Sequence, residues 1–467
     1  MAHTRTIKHV NHSVDMSKGS IVVNILRFAI PMALASMLHL LFNAADMVVV
    51  GQFDGERALA AVGSTGSTVN LFVSLFNGLS VGVTVTLAKW FGAKSDKDIS
   101  ETVHTAVAVA IVCGIMLTIV GIVFAEPLLR LLDCPEEVLP LSTLYMRIYF
   151  GGMLFTMIYS YCSAVLRATG DTKRPLVFLA IGGVLNVLLN LLFVAVFRIG
   201  VAGVAIATVI SQALSAFLVV LCLIKEESAI RLYIKKIGFY KGKTADILRI
   251  GIPAGIQSSL FSVSNMVIQR AINAFGEYAM AGTSAASSIE GFVYVGMEAI
   301  HQGTVAFVAQ NIGAGKKDRI HRSVPISLTM VFVAGVSLGL LVVFNAEFFV
   351  RIFTTDTQAI AYGIERIQMV SATYFLCGMM STIGSYPIGA GRTLMPTIIN
   401  LVGICVLRVI YIFTLFNEPY LHTLKGLYLC YPISWIVAWS ALYILYLCTI
   451  KIIDKQCLEH QKPSGEK

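Results

Sequence analysis

Long apolar stretches and short polar segments alternate along the whole chain. The apolar stretches run over 24–50, 60–87, 102–124, 140–166, 174–197, 200–224, 246–273, 280–310, 322–345, 360–388, 394–417 and 425–450. Each can form a helix that crosses the hydrocarbon core, which takes roughly 20 mostly apolar residues. The pattern predicts an all-α, polytopic membrane protein with twelve transmembrane helices.

The pattern is written twice. Gly82, Gly92, Gly170 and Pro175 recur 221 residues later as Gly303, Gly313, Gly391 and Pro396. Pro31 and Asn43 recur as Pro253 and Asn265 at a spacing of 222. Around these anchors VTLAKWFGAKSDKDI is answered by FVAQNIGAGKKDRI. An even number of helices per copy gives both copies the same orientation, so the repeat is parallel with its pseudo-axis along the membrane normal. The expected organisation is a cytoplasmic tail (1–23), a six-helix lobe (24–224), a linker (225–245), a second six-helix lobe (246–450) and a cytoplasmic tail (451–467). Duplicated membrane chains of this kind commonly place a site between two similar bundles.

Composition agrees. Hydrophobic residues make up 57% of the chain and charged residues 13%, whereas a soluble domain carries about a quarter charged residues. The first 20 residues are polar, so no cleavable signal peptide is expected. The net charge of +9 has a membrane explanation rather than a nucleic-acid one. One set of loops, with the termini, holds 24 Lys and Arg, and the alternate set holds five. The basic set should face the cytoplasm, and both termini with it. Segment 225–245 is basic and amphipathic, and reads as a surface helix on anionic headgroups or as a solvated tether. The nine cysteines show no metal-ligand spacing. A phosphate loop, an HExxH motif and a serine elbow are all missing, which argues against an enzyme. Without an ATP-binding element, any transport would draw on an ion gradient.

Candidate chemistry lies inside the spans. Asp46 sits within an apolar run of span 1. A lone carboxylate in hydrocarbon costs at least about 2.5–3.5 kcal/mol, so it faces a partner or an aqueous cavity. Asn186 and Asn190 lie four residues apart on span 5 and share a helical face, and Thr208 adds a hydroxyl on span 6. On span 8, Glu290, Tyr294, Met297, Glu298 and His301 follow one helical stripe, with Gln302 one turn beyond Glu298. Two carboxylates and an imidazole would be prohibitive against lipid. The stripe therefore either faces a cavity as a site for cationic substrate, with His301 as a pH-sensitive partner of Glu298, or glues span 8 to its neighbours. Arg27 and Arg249 begin spans 1 and 7 and should snorkel to the surface. Glu365 and Arg366 should lie at a membrane interface, and Arg408 falls in mid-span 11 with no evident partner. Met and aromatic residues on spans 4 and 10, such as Tyr149, Tyr159, Met369 and Tyr374, suit adaptable walls, although ordinary packing explains most of them.

The segments IPMALASMLHLLFNAADMVVVG, GAKSDKDI, GAGKKDRI, LRATGDTKRPL and IGAGRTLMP, in this order within a duplicated chain, resemble multidrug and toxic compound extrusion (MATE) transporters, most of all their DinF-like bacterial branch. The resemblance covers about residues 20 to 450. It implies a multidrug efflux antiporter of the bacterial inner membrane, working by rocking-type alternating access. Its partners would be small organic, often cationic, substrates and the bilayer, with no nucleic acid, and the chain would act as a monomer. No cofactor is implied, only a coupling ion. Positions matching Asp46, Asn186, Asn190 and Thr208 form a cation site in the family. Many relatives carry a second Asp where this chain has Asn190, so a Na⁺ site at Asp46, Asn186 and Asn190 would be weaker here, and the balance tilts toward H⁺. Alternatively, Asp46 only ties helices together through its Asn and Thr neighbours. Other branches place a Glu where Phe261 stands and an Asp near Gly378, so a second-lobe cation site is not expected. The rival readings are a lipid-linked oligosaccharide flippase of the same superfamily, which a cavity lined by Arg147, Arg270 and Arg408 would favour, and a membrane-embedded enzyme.

Overall fold

The structure is a computed structural model, and it describes residues 13–131 and 134–461. Twelve helices of membrane length follow one another: α1 (Ile21–Phe53), α2 (Glu56–Gly92), α3 (Asp96–Leu131), α4 (139–168), α5 (Lys173–Val196), α6 (Val201–Lys225), α7 (Lys241–Asn273), α8 (Glu277–Gly313), α9 (Lys317–Phe344), α10 (357–389), α11 (394–413) and α12 (Cys430–Gln461). No strand occurs among the described residues. Eight of these helices are apolar and long enough to cross a membrane outright. A ninth, α4, qualifies across a 46° bend at Gly152. The other three, α7, α8 and α10, carry most of the polar side chains inside the second repeat. Each of the twelve predicted spans finds its helix, and the protein is a multi-pass membrane protein.

The described chain forms two compact units. One consists of 13–15 and 34–255, the other of 16–33 and 256–461. Helices α1 and α7 thus divide just past Pro31 and Pro253, each inside its helix. A proline removes one backbone hydrogen bond and loosens a helix at that point.

The repeated glycines have physical reasons. A Cβ on Gly82 would lie 2.2 Å from the Ile247 carbonyl oxygen, so α2 and the start of α7 approach there too closely for a side chain. Gly303, its counterpart, faces Ile25 and Phe28 of α1 within the other unit. Gly170 and Gly391 both have left-handed φ, 83° and 76°, at the turns that end α4 and α10. That conformation costs other residues energy and glycine little.

Two sequence expectations fail. Of the two readings of segment 225–245, the surface helix is not found. Residues 226–240 form an irregular strap with one short turn of 3₁₀ helix at Ile234–Lys236, and α7 begins at Lys241. Ile230 and Leu232 are buried while Arg231 and Tyr233 are exposed. This alternation by two fits extended chain, not helix. Leu232 N–H bonds Leu223 at 3.0 Å and Tyr233 N–H bonds His104 Nε2 at 3.0 Å. The second failure is Arg366, which is 6% exposed and buried rather than interfacial.

Candidate functional site

In the first unit, four helical positions converge. Asp46 on α1 is 8% exposed and accepts a hydrogen bond from Asn190 Nδ2 on α5. The same amide nitrogen reaches Asn186 Oδ1 at 3.3 Å, one turn back. Asn186 Nδ2 donates to Thr208 Oγ1 on α6 at 3.2 Å, and the Thr208 hydroxyl donates to the Val204 carbonyl at 2.9 Å. The four residues predicted from spans 1, 5 and 6 therefore form one connected cluster.

Helix geometry places them. Asn186 and Asn190 share a face because four residues make just over one turn. Directly after Asn190, α5 passes through a π turn, Leu191–Val196. Such a turn inserts an extra residue and is frequent at functional sites. An apolar layer packs beside the cluster: Val49 and Val50 of α1 with Tyr145, Val194, Val201 and Val204, backed by Tyr149. Tyr145 and Tyr149 stack at 6.0 Å.

The chemistry of the cluster is acceptor-rich. Among the described residues, no Lys or Arg pairs with Asp46, and Asn190 Oδ1 is buried without a partner. A buried acceptor left unsatisfied is costly. A proton on Asp46, or one small cation, would supply the positive partner that this arrangement lacks. The residues present fit a proton, and offer a Na⁺ one carboxylate and two amide oxygens. No group of three or more His, Cys, Asp and Glu that could hold a metal ion occurs among the described residues.

The α8 stripe divides. Glu298 accepts from Tyr294 Oη at 3.2 Å and from Gln302 Nε2 at 2.8 Å, so these three stay together. Glu290 is taken by Arg366 of α10, with Nη2–Oε2 at 2.8 Å and Nε–Oε1 at 3.2 Å. His301 Nδ1 meets Ser385 Oγ at 2.7 Å, and the expected pairing of His301 with Glu298 is not made among the described residues. The reason is directional: side chains at i and i+3 share a face, but His301 leans toward α10 whereas Glu298 is held along its own helix by residues four away on each side.

The sequence reading left out three further features. Arg408 Nε donates to Ser434 Oγ on α12 at 3.0 Å, and its guanidinium lies 4.5 Å from the Tyr431 ring. Arg366 lies over Tyr428 and Tyr431 at 5.4 and 5.5 Å. His39, seven residues before Asp46 on α1, contacts Asn43 at 3.3 Å. A period-of-seven scan along span 1 would have picked out His39; no local pattern announces the arginine contacts. Arg147 and Arg270 are exposed, while Arg408 is 5% exposed.

Comparison with known proteins adds the family. The MatE family model matches residues 31–192 and again 253–414. Among curated relatives, the probable multidrug resistance protein YpnP of Bacillus subtilis (strain 168) is 28% identical over 92% of this chain and 96% of its own. A protein named FAD transporter from Shewanella oneidensis is 25% identical over 90% and 93%. In fold, a crystal structure of MATE in the bent conformation superposes with a TM-score of 0.89 at 20% identity, covering 97% of this chain and all of that one. With both halves matched, the chain belongs to the MATE family: it is a membrane transporter and not an enzyme.

Proposed function

We propose that the protein is a secondary active antiporter of the bacterial inner membrane, with both termini cytoplasmic, that exports organic compounds, many of them cationic, in exchange for H⁺. It works by rocking-type alternating access, and Na⁺ is the alternative coupling ion. The observation that carries the reading is a buried carboxylate, Asp46, bonded to the side-chain amide of Asn190 and to no basic residue among the described ones. A charge-paired carboxylate would resist protonation; among the described residues this one has only neutral side-chain partners, so no fixed cation opposes its protonation. Multidrug resistance proteins among the relatives support export of organic solutes. Coupling requires that proton and solute each favour a different state of the transporter.

Asp46 is the proton acceptor in this scheme. Asn190 and Asn186 orient it, and Thr208 closes the chain of hydrogen bonds. Glu298, held by Tyr294 and Gln302, is the subsite for the cationic group of a solute. Glu290 and His301, each committed to a partner on α10, shape that subsite. Proteoliposomes with an imposed pH or Na⁺ gradient test the scheme through counterflow of ethidium. Asp46→Asn should abolish pH-driven exchange at unchanged expression and thermal stability. Undiminished exchange by the variant would remove Asp46 from the mechanism, and exchange driven by Na⁺ alone would reassign the ion.

A further inference from the structure

The second repeat holds a buried cation with no counter-charge among the described residues. Arg408 on α11 is 5% exposed, and only its Nε is used, on Ser434. Among the described residues no carboxylate pairs with it, and its four terminal N–H bonds donate to nothing. Its neighbour Arg366 shows the contrast, since Glu290 neutralises that guanidinium in two hydrogen bonds. Arg408 lies against an aromatic wall: Tyr431 at 4.5 Å, Trp435 at 6.0 Å, and Tyr374 edge-on to Trp435 at 5.2 Å. Aromatic faces soften a buried cation but do not neutralise it.

The register of the repeat says where Arg408 stands. The two family-model segments begin at 31 and 253 and end at 192 and 414, so they lie 222 apart at both ends. In α5 the π turn follows Asn186 and Asn190, whereas in α11 it comes at Leu401–Val406, before Arg408. One extra residue per π turn moves the spacing from 221 at Pro175 and Pro396 to 222 at Arg408. Arg408 therefore occupies the repeat position of Asn186. Beyond it, Ile210 and Ser211 of α6 recur as Ile433 and Ser434 of α12, and Gly203 as Gly426 just before α12, all 223 apart, so Tyr431 stands where Thr208 stands and Trp435 where Gln212 stands. The counterparts of Asp46 and Asn190 are Ile268 and Ile412. The same scaffold position that carries a carboxylate cluster in one repeat carries a guanidinium in the other.

We infer that Arg408, with Ser434, Tyr431 and Trp435, binds the carboxylate or phosphate of an aromatic organic solute. The planar guanidinium fits either anion through two parallel hydrogen bonds. The rings beside it are buried, Tyr431 at 9% and Trp435 at 3%, so the body of an aromatic solute would stack there by displacing part of their present packing. The inference rests on the exporter reading only for why such a solute reaches the site.

Its test is a binding comparison that needs no transport. Coumarin-3-carboxylate and its neutral carboxamide are titrated by fluorescence against the purified full-length protein in neutral-lipid nanodiscs. The carboxylate should bind about tenfold or more tightly than the amide, as one charge-assisted pair implies. Arg408→Gln should erase that preference and Arg408→Lys should keep part of it. Equal affinity of the wild-type protein for acid and amide overturns the inference even if Arg408→Gln fails to fold. Full displacement of the carboxylate by millimolar chloride also overturns it, because the site would then hold an inorganic counter-ion. Loss of pH-driven exchange in proteoliposomes would bear on Asp46 and leave this comparison standing.

Discussion

Glu290 and Arg366 meet as a fork-to-fork pair with side chains 5% and 7% exposed. In the low-dielectric interior, removing one partner strands the other charge, at a cost of about 3–5 kcal/mol, while replacing both with apolar residues of similar size is often neutral. Glu290→Met or Arg366→Met alone should therefore lower the melting temperature sharply, and the double variant should recover most of the loss. Additive losses in the double variant would mean that the pair contributes through packing alone. Glu298 differs, for its partners are a phenol and an amide. Glu298→Gln should weaken export of cationic solutes severalfold and leave neutral ones nearly unchanged; an equal loss for both would give Glu298 a structural role. At this scale the sequence was readable where a single side chain is anomalous in hydrocarbon. Asp46 stands out in an apolar run, and Asn186 and Asn190 follow from the helical period. The partner of Arg366 was not readable, because Glu290 lies 76 residues away and no periodicity links α8 to α10.

Among the elements, the twelve helices were legible from hydropathy because each must shield its own backbone in lipid. What hydropathy does not carry is the kink, the π turn and the strap. The helical reading of the strap failed because its basic residues mimic an amphipathic helix, while the alternation of Ile230 and Leu232 fits extended chain. Just beyond it, Lys243 at the start of α7 donates to Asp98 at 2.5 Å and lies 3.8 Å from the ring of Trp90. Burial pushes the Asp98 carboxyl up, but hydrogen bonds from Lys243 and Ser95 outweigh this and hold it below its ordinary value. A depressed carboxyl stabilises the fold above its unfolded pKa, and that contribution is lost as pH falls through the folded value. The Asp98 side chain is 27% exposed, so the effect is modest. Thermal melts should show wild type losing an increment of stability in acid that Asp98→Asn lacks from the outset. Identical pH profiles for the two proteins would mean that the pair contributes nothing.

For the whole molecule, the duplication shows what the fold requires and what it leaves free. Gly82 with Gly303, Gly170 with Gly391, and the prolines of α1 and α7 recur because both copies need the same close approaches and turns. The polar side chains of the Asp46 cluster do not recur. Asp46, Asn186, Asn190 and Thr208 answer to Ile268, Arg408, Ile412 and Tyr431, so the scaffold stands with either set. The shared scaffold therefore requires neither the Asp46 cluster nor Arg408. The two sets should then fail independently. Asp46→Asn should lose pH-driven exchange and still prefer coumarin-3-carboxylate over its amide. Arg408→Gln should lose that preference and still exchange ethidium down a pH gradient. If both sites bias one transport cycle, as proposed, each ligand also shifts the apparent affinity of the other by one shared factor. Measuring carboxylate affinity at two pH values in wild type and in Asp46→Asn reads that factor directly. It should appear in wild type and vanish in the variant. A pH dependence that survives Asp46→Asn would place the proton elsewhere in the chain, and His39, on the same stripe of α1, would be the next residue to replace.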